Sequence, residues 1–102
     1  MRLNKKMSEI IKPLHPGEVL QDLYLTPLGI SAITLAKKIL VPRTRIERLL
    51  RGDISLSADT AIRLARLFGT TPEYWLNMQR AFDLANVKKS IDLSKIEPLN
   101  AA

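Results

Sequence analysis

The stretch SAITLAKKILVPRTRIERLLRG, residues 31 to 52, contains two short helical patterns separated by a break. Ser31 is a good N-cap for the first pattern, in which Leu35 and Ile39 lie one helical turn apart on an apolar face. Pro42 disfavours helix at the residue before it, and this forces a tight connection to the second pattern. Two short helices joined by a three-residue turn are typical of a helix-turn-helix motif.

The second pattern is rich in arginine, with four arginines in residues 42 to 52. At about 100° per residue, Ile46, Leu49 and Leu50 cluster on one side of the predicted helix. The remaining side chains are polar or charged: Thr44, Arg48 and Arg51 on the opposite side, Arg43 in the first turn, and Arg45 and Glu47 at the flanks. We interpret one face as the anchor and the other as a surface that presents guanidinium groups to a large anion.

The positive charge of the chain is concentrated in this region. The net charge of the 102 residues is +6 and the isoelectric point is about 10.0. Residues 35 to 52 combine four arginines with Lys37 and Lys38 against the single acid Glu47. A concentrated basic patch in a small domain indicates a polyanionic partner. Two alternatives remain at this point: a solvated face, and muting of the patch by pairing of Glu47 with Arg43 or Arg51.

Composition predicts an all-α fold with a single compact domain. Hydrophobic residues make up 46% of the chain and aromatic residues only 5%, and the apolar content is mostly Leu, Ile and Ala. We divide the chain into an N-terminal arm (1–14), a helix-turn-helix domain (15–87) and a C-terminal tail (88–102). Met7 is an alternative start to Met1.

Three further helices are predicted around the motif. The first covers 16 to 25, with Val19, Leu20 and Leu23 facing the core, and TPLG (26–29) breaks it. Ser57 caps a fourth helix that Gly69 ends. A fifth runs from Pro72 to about residue 87 and places three large side chains at helical spacing, which we assign to core, dimer or partner packing in preference to a ligand site: Trp75, Met78 and Phe82.

Several function classes are disfavoured by what the sequence lacks. Without cysteine there is no disulfide, thiolate nucleophile or zinc ribbon. His15 is the only histidine, so no metal site or catalytic triad is expected, and we assign it to closing the first helix against the core. We find no signal peptide or membrane span and expect a cytoplasmic protein without enzyme activity, cofactor or metal.

Double-stranded DNA is the polyanion that this motif fits best. The major groove admits an α-helix, and arginine can bond to both O6 and N7 of guanine there. The predicted base-reading residues are Arg43, Thr44 and Arg48. The main-chain N–H groups at the start of the second helix would face a phosphate. The predicted backbone contacts are Ser31, Lys37, Lys38, Arg45 and Arg51.

Residues 31 to 52 resemble the helix-turn-helix of the phage-repressor (XRE, Cro-like) class, with Leu35-Ala36, Ile46 and Gly52 at the positions where that class has such residues. The flanking segments HPGEVL (15–20), SADTAIRLARLFGTTPEYWLNMQ (57–79) and FDL (82–84) are similar to the HigA antitoxin subfamily, also labelled virulence-associated protein I. The resemblance covers roughly 13 to 86.

This resemblance implies a five-helix, lambda-repressor-like domain that acts as a homodimeric transcriptional repressor on an inverted-repeat operator. It also implies repression of its own operon and neutralisation of a HigB-type toxin, an mRNA-cleaving ribonuclease. Base contacts in the class come from the beginning of the third helix and from one residue a turn further on. Here those positions are Arg43, Thr44 and Arg48, the same three that the helix geometry selects.

One position departs from the family pattern. Leu40 stands where the family prefers glycine, and a left-handed conformation would cost a non-glycine residue about 1 to 2 kcal/mol there. Either the turn differs, or packing of the leucine side chain compensates. Pro42 also replaces the commoner Ser or Thr cap.

Two alternative functions stay open. The chain could be a solitary regulator of the same class without a toxin. It could also be a protein-interaction module with only weak DNA binding, which is suggested by the isolated apolar residues of the tail: Ile91, Leu93, Ile96 and Leu99.

Overall fold

The structure, a computed structural model, describes residues 12–100, and this part of the chain contains five helices and no strand. The helices are α1 Pro16–Leu28, α2 Ala32–Ile39, α3 Arg43–Leu50, α4 Ala58–Phe68 and α5 Pro72–Ser90. The predicted all-α class and the number of helices are confirmed. Most of the predicted N-terminal arm, and with it the choice between Met1 and Met7, lies outside the described residues.

Helix α1 has a π-helical centre and ends later than predicted. It consists of an α-helical turn Pro16–Val19, a π-helical stretch Leu20–Leu25 and a final turn Thr26–Leu28. The predicted end at residue 25 is wrong. The N–H of Thr26 bonds to the carbonyl of Gln21, five residues back, and this wider register accommodates the following proline, which has no N–H to donate.

The π-helical register also changes which side chains of α1 face the core. Leu20 and Leu25 are buried, whereas Leu23 is 64% exposed. Hydrogen bonds in a π-helix join residues five apart, so side chains at that spacing share one face. The prediction of Leu23 as a core residue is therefore wrong, and that of Val19 and Leu20 is confirmed.

Three predicted helix starts are confirmed by side-chain caps. The Ser31 hydroxyl accepts a hydrogen bond from the Thr34 N–H at 3.1 Å. Ser57 caps α4 in the same way, and Thr71 caps α5. Each hydroxyl satisfies one of the backbone donors that the first turn of a helix leaves without a partner.

The five helices enclose one apolar core, with Trp75 as its largest fully buried side chain. The indole Nε1 donates to the Thr70 hydroxyl at 2.8 Å, so its one polar atom is satisfied. Trp75 thus leaves no surface for a partner. Met78 and Phe82 are only partly buried, and their role in partner packing stays a prediction.

The HPGE segment fastens α1 to the end of α3. The buried His15 ring accepts a hydrogen bond from the Gly17 N–H at Nδ1 (2.9 Å), so Nε2 carries the proton and donates to the Ile54 carbonyl at 3.0 Å. Gly17 approaches the Leu49 carbonyl oxygen so closely that a Cβ would collide with it. The predicted structural role of His15 is confirmed, and the glycine is needed because of this close approach.

A buried amide fixes the loop between α3 and α4. The Gln79 Oε1 accepts a hydrogen bond from the Leu56 N–H at 2.8 Å, and its Nε2 donates to the Asp83 Oδ1 at 2.9 Å. The loop that follows α3 is therefore held against α5. This contact was not predicted from the sequence.

Helix α5 is the longest element, with 19 residues, and continues past the predicted end near residue 87. Residues 91–100 follow it as an exposed segment with one turn at 94–95. Among residues 12–100, no single helix has the length and apolar character needed to cross a membrane. The bent pair α1 and α2, at 98° to each other, meets that test only by combined length and composition.

We predict that Gly17→Ala destabilises the protein by about 3 kcal/mol, because the added methyl forces α1 away from the Leu49 carbonyl. Chemical denaturation followed by circular dichroism measures the loss. Gly29→Ala is the matched control: its φ is +65° but a Cβ there meets nothing within 4 Å, so only backbone strain of about 1 kcal/mol is expected. Equal losses in the two variants would contradict the close approach as the cause.

Candidate nucleic-acid interface

Helices α2 and α3 are joined by a turn in which Leu40 has a left-handed backbone, with φ 60° and ψ 47°. Pro42 follows in an extended conformation and is the N-cap of α3, without a side-chain hydrogen bond. Together the two helices and the turn form the predicted helix-turn-helix.

The left-handed Leu40 answers the question that the sequence left open. The turn keeps the conformation that favours glycine, and the leucine side chain is 82% exposed. Packing therefore does not compensate the strain of about 1 to 2 kcal/mol. Hydrogen bonds from the Arg63 Nη1 to the carbonyl oxygens of Ile39 (2.9 Å) and Leu40 (3.4 Å) instead stabilise this end of α2.

Helix α3 separates an apolar from a basic face as predicted. Ile46 and Leu49 are fully buried in the core, and Leu50 is partly buried against it. The predicted base-reading residues lie on the exposed face: Arg43, Thr44 and Arg48. The apolar side chains thus hold a helix of eight residues whose opposite face is open to solvent.

Three of the four arginines in residues 43–51 have carboxylate partners: Arg43, Arg45 and Arg51. Arg43 Nε lies 3.4 Å from Glu47 Oε1, one of the two pairings considered from the sequence. Arg51 Nε lies 2.8 Å from Asp53 Oδ2. These pairs are exposed, and such pairs contribute only about 0 to 1 kcal/mol, so a phosphate can compete for either guanidinium.

Arg48 differs from the other arginines of the motif. Within residues 12–100, its guanidinium makes no hydrogen bond or ion pair. It projects from the last turn of α3 on the exposed face. Arg48, unlike Arg43, can therefore bind a ligand without first breaking an ion pair with a carboxylate.

Asp59 of α4 binds one arginine from α3 and one from its own helix. Its Oδ1 accepts from Arg63 Nε at 2.8 Å and from Arg45 Nη1 at 2.9 Å. These hydrogen bonds and charges, that of Arg63 first, lower the pKa of the Asp59 carboxyl below its usual 3.8. Asp59 and Arg63 lie four residues apart along α4, so the sequence already indicated that these two side chains could pair. Arg45 comes from a different helix, so the sequence did not reveal it.

The predicted backbone-contact residues of α2 lie at its two ends. Ser31 is exposed at the N-terminus, where its hydroxyl already caps the helix. Lys37 and Lys38 are exposed in the last turn. The two lysines therefore place their positive charge at the opposite end of α2 from Ser31.

No group of three or more His, Asp or Glu side chains in residues 12–100 could hold a metal ion. Burial, together with a hydrogen bond to the Tyr74 hydroxyl at 3.2 Å, raises the pKa of Tyr24 to about 12. Its ring packs on Phe68 and Trp75, so we assign this cluster to the core.

Comparison with known proteins places this geometry in a family. The helix-turn-helix family model matches residues 22–75, which include the whole of α2, α3 and α4. The chain belongs to this helix-turn-helix family. The prediction that residues 31 to 52 form such a motif is thereby confirmed.

Relatives of this helix-turn-helix protein include a virulence-associated protein and an antitoxin. Virulence-associated protein I of Dichelobacter nodosus is 49% identical over 71 residues, which are 70% of this chain and 66% of that protein. Antitoxin HigA-1 of Vibrio cholerae is 42% identical over 73 residues, 72% of this chain and 69% of that protein. The matched part thus spans about two thirds of the length of both relatives.

A solved structure has the same fold. The Pseudomonas aeruginosa antitoxin HigA with the higBA promoter superposes with a TM-score of 0.79 and 38% identity, covering 86% of this chain and 99% of that chain. Together with the two relatives, it confirms the resemblance to HigA antitoxins of the XRE class.

We predict that Leu40→Gly stabilises this helix-turn-helix protein by about 0.5 to 1 kcal/mol, because relief of the left-handed strain exceeds the entropy that glycine adds to the unfolded chain. Denaturant midpoints of the two proteins measure the gain. Leu28→Gly is the control, since Leu28 is also exposed but lies in right-handed helix, and it is expected to lose about 1 kcal/mol. A loss in both variants would contradict strain at Leu40.

Proposed function

We propose that the protein is a sequence-specific DNA-binding repressor that inserts α3 into the major groove. The observation that carries this proposal is the division of α3: Ile46 and Leu49 are buried, while Thr44 and Arg48 stand exposed on the opposite side. The groove is about 12 Å wide and admits a helix held in this way. The core fixes the helix, and the exposed face reads the bases.

Each predicted base-reading residue has a distinct part in this proposal. Arg48 bonds to O6 and N7 of a guanine, since its guanidinium has no ion-pair partner within residues 12–100. Thr44 offers a hydroxyl that can donate or accept. Arg43 uses Nε toward Glu47 and keeps its two terminal amino groups for a second base.

The phosphate contacts fix the orientation of the protein on the duplex. The N-terminus of α2 at Ser31 faces one phosphate, and Lys37 and Lys38 face others. Arg45 and Arg51 exchange their carboxylate partners, Asp59 and Asp53, for phosphate oxygens. Each phosphate neutralised steepens the salt dependence of binding without adding sequence information.

A homodimer suits this mode of binding. Two copies related by a twofold axis place their α3 helices in successive major grooves, about 34 Å apart. The operator is then an inverted repeat, because each half-site faces an identical subunit.

We expect Arg48→Ala to weaken operator binding by about 1 to 3 kcal/mol and to relax the preference at one base pair in each half-site. The cause is loss of a bidentate contact to a base edge. Lys37→Ala is the matched control, which is expected to weaken all sequences alike and to reduce the salt slope by about 1. Gel shifts on a panel of single-base operator variants at several salt concentrations separate the two. Equal, sequence-independent losses for both variants would refute direct readout by Arg48.

We further propose that the repressor is the antitoxin of a two-gene pair, represses its own operon, and neutralises a HigB-type mRNA-cleaving toxin. The names of Antitoxin HigA-1 and of the antitoxin solved with the higBA promoter support this proposal. An adjacent reading frame for a small basic protein is the simplest test. If no such frame exists, the solitary-regulator alternative is favoured.

Toxin capture and DNA binding are expected to use different surfaces. A variant with Arg43, Arg45 and Arg48 all changed to Gln should lose the operator and still retain the co-expressed toxin in a pull-down. The carboxylate partners of Arg43 and Arg45 favour one competing function, a protein-binding module with weak DNA contact. Unchanged operator affinity in the triple variant would support that module and reject the repressor.

A further inference from the structure

Helices α1, α2 and α4 end in the same way, with a residue of left-handed backbone conformation after the last turn. This residue is Gly29 after α1 and Gly69 after α4, but Leu40 after α2. Glycine adopts a positive φ about as readily as a negative one, whereas leucine is strained there. Of these three helix ends, the turn between α2 and α3 is therefore the one that depends on a strained residue.

A backbone hydrogen bond accompanies the left-handed conformation at the end of α2. The Val41 N–H donates to the Ala36 carbonyl at 3.0 Å, and a bond of this span forms when the residue before the donor is left-handed. At the end of α4, the Thr70 N–H donates in the same way to the Ala65 carbonyl at 3.2 Å, behind Gly69. The two bonds have the same pattern, but the first depends on a leucine and the second on a glycine.

Arg63 of α4 contacts the turn that depends on leucine. Its Nη1 donates to the carbonyl oxygens of Ile39 at 2.9 Å and Leu40 at 3.4 Å. Its Nε donates to Asp59 at 2.8 Å, so the carboxylate orients the guanidinium toward the end of α2. A cation at the C-terminal carbonyls of a helix is also favoured by the helix dipole. Because another turn conformation would move these carbonyl oxygens, the bonds from Arg63 favour the left-handed one.

We propose that Arg63 is a positioning residue for base recognition, which holds the left-handed turn so that α3 keeps the orientation needed to read DNA. This inference rests on the proposed repressor function and extends it to a residue outside the two helices of the motif. Base edges have to be met by side chains in a fixed position, whereas phosphate contacts carry no sequence information. Loss of Arg63 should therefore reduce the preference for the operator more than it reduces affinity for DNA in general.

Amide hydrogen exchange tests the effect of Arg63 on the turn in the absence of DNA. We expect Arg63→Gln to speed exchange of the Val41 amide by about three- to tenfold, because the turn leaves the left-handed conformation more often. The Thr70 amide is the internal reference and should keep its wild-type rate, since Gly69 adopts the same conformation without strain. Adding Leu40→Gly to the variant should slow exchange at Val41 again.

Arg66→Gln is the matched control for the exchange experiment. Arg66 is an exposed arginine of the same helix, so its replacement removes the same charge from α4 and leaves the bonds to the turn in place. Exchange at Val41 should keep its wild-type rate in this control. Equal acceleration of the Val41 and Thr70 amides by Arg63→Gln, or acceleration of neither, would overturn the proposal.

The second experiment measures how well the protein selects DNA. The probes are a duplex that the wild-type protein enriches from a random-sequence pool and a scrambled duplex of the same length and composition. We expect Arg63→Gln to lower the ratio of the two affinities by about three- to tenfold, in proportion to the loss of the competent turn. The double variant with Leu40→Gly should recover the ratio, because glycine adopts the turn without support.

The outcomes distinguish this inference from the function on which it rests. An unchanged ratio in Arg63→Gln, with or without weaker binding to both duplexes, would overturn the positioning role. A reduced ratio that Leu40→Gly does not recover would also overturn it, because the effect would not pass through the turn. If the wild-type protein enriches no sequence, the proposed repressor is refuted and base positioning with it, whereas the other failures leave the repressor in place.

Discussion

Burial of Ile46 and Leu49 is the interaction on which the rest of the structure depends. Helix α3 has only eight residues, and a helix of that length is not stable alone in water. Its position is set by the side chains that it places in the core and by the approach of Gly17 to the Leu49 carbonyl. A ligand-reading face can consist almost entirely of charged side chains only because the opposite face is anchored in this way.

Electrostatic contacts around α3 organise its charge and leave it accessible. Asp59 holds Arg45 and Arg63 together, and Arg63 in turn bonds to the strained end of α2. The carboxylates reduce repulsion among neighbouring guanidinium groups in the unbound protein. Because the pairs are exposed, they remain exchangeable. The unbound surface is thus partly neutralised, and Arg48 is the arginine of the motif left available within the described residues.

Much of the fold was predictable because its signals are local. The hydroxyl caps at Ser31, Ser57 and Thr71 and the apolar spacing of α3 involve residues within one helical turn, so the sequence displays them directly. The π-helical centre of α1 was missed because its hydrogen bonds depend on accommodating Pro27 within a packed helix. The Arg45–Asp59 contact was missed since it joins different helices. The exposure of Leu40 could not be read from the sequence either, where a leucine suggests packing.

Gln79 shows that a single buried side chain can restrict substitution without taking part in recognition. One end of its amide must accept from the Leu56 N–H while the other must donate to the Asp83 carboxylate. Glutamate at this position would set two carboxylates against each other, and lysine would leave the Leu56 N–H without an acceptor. Position 79 therefore requires a side chain that carries an acceptor toward the loop and a donor toward Asp83, in that fixed order.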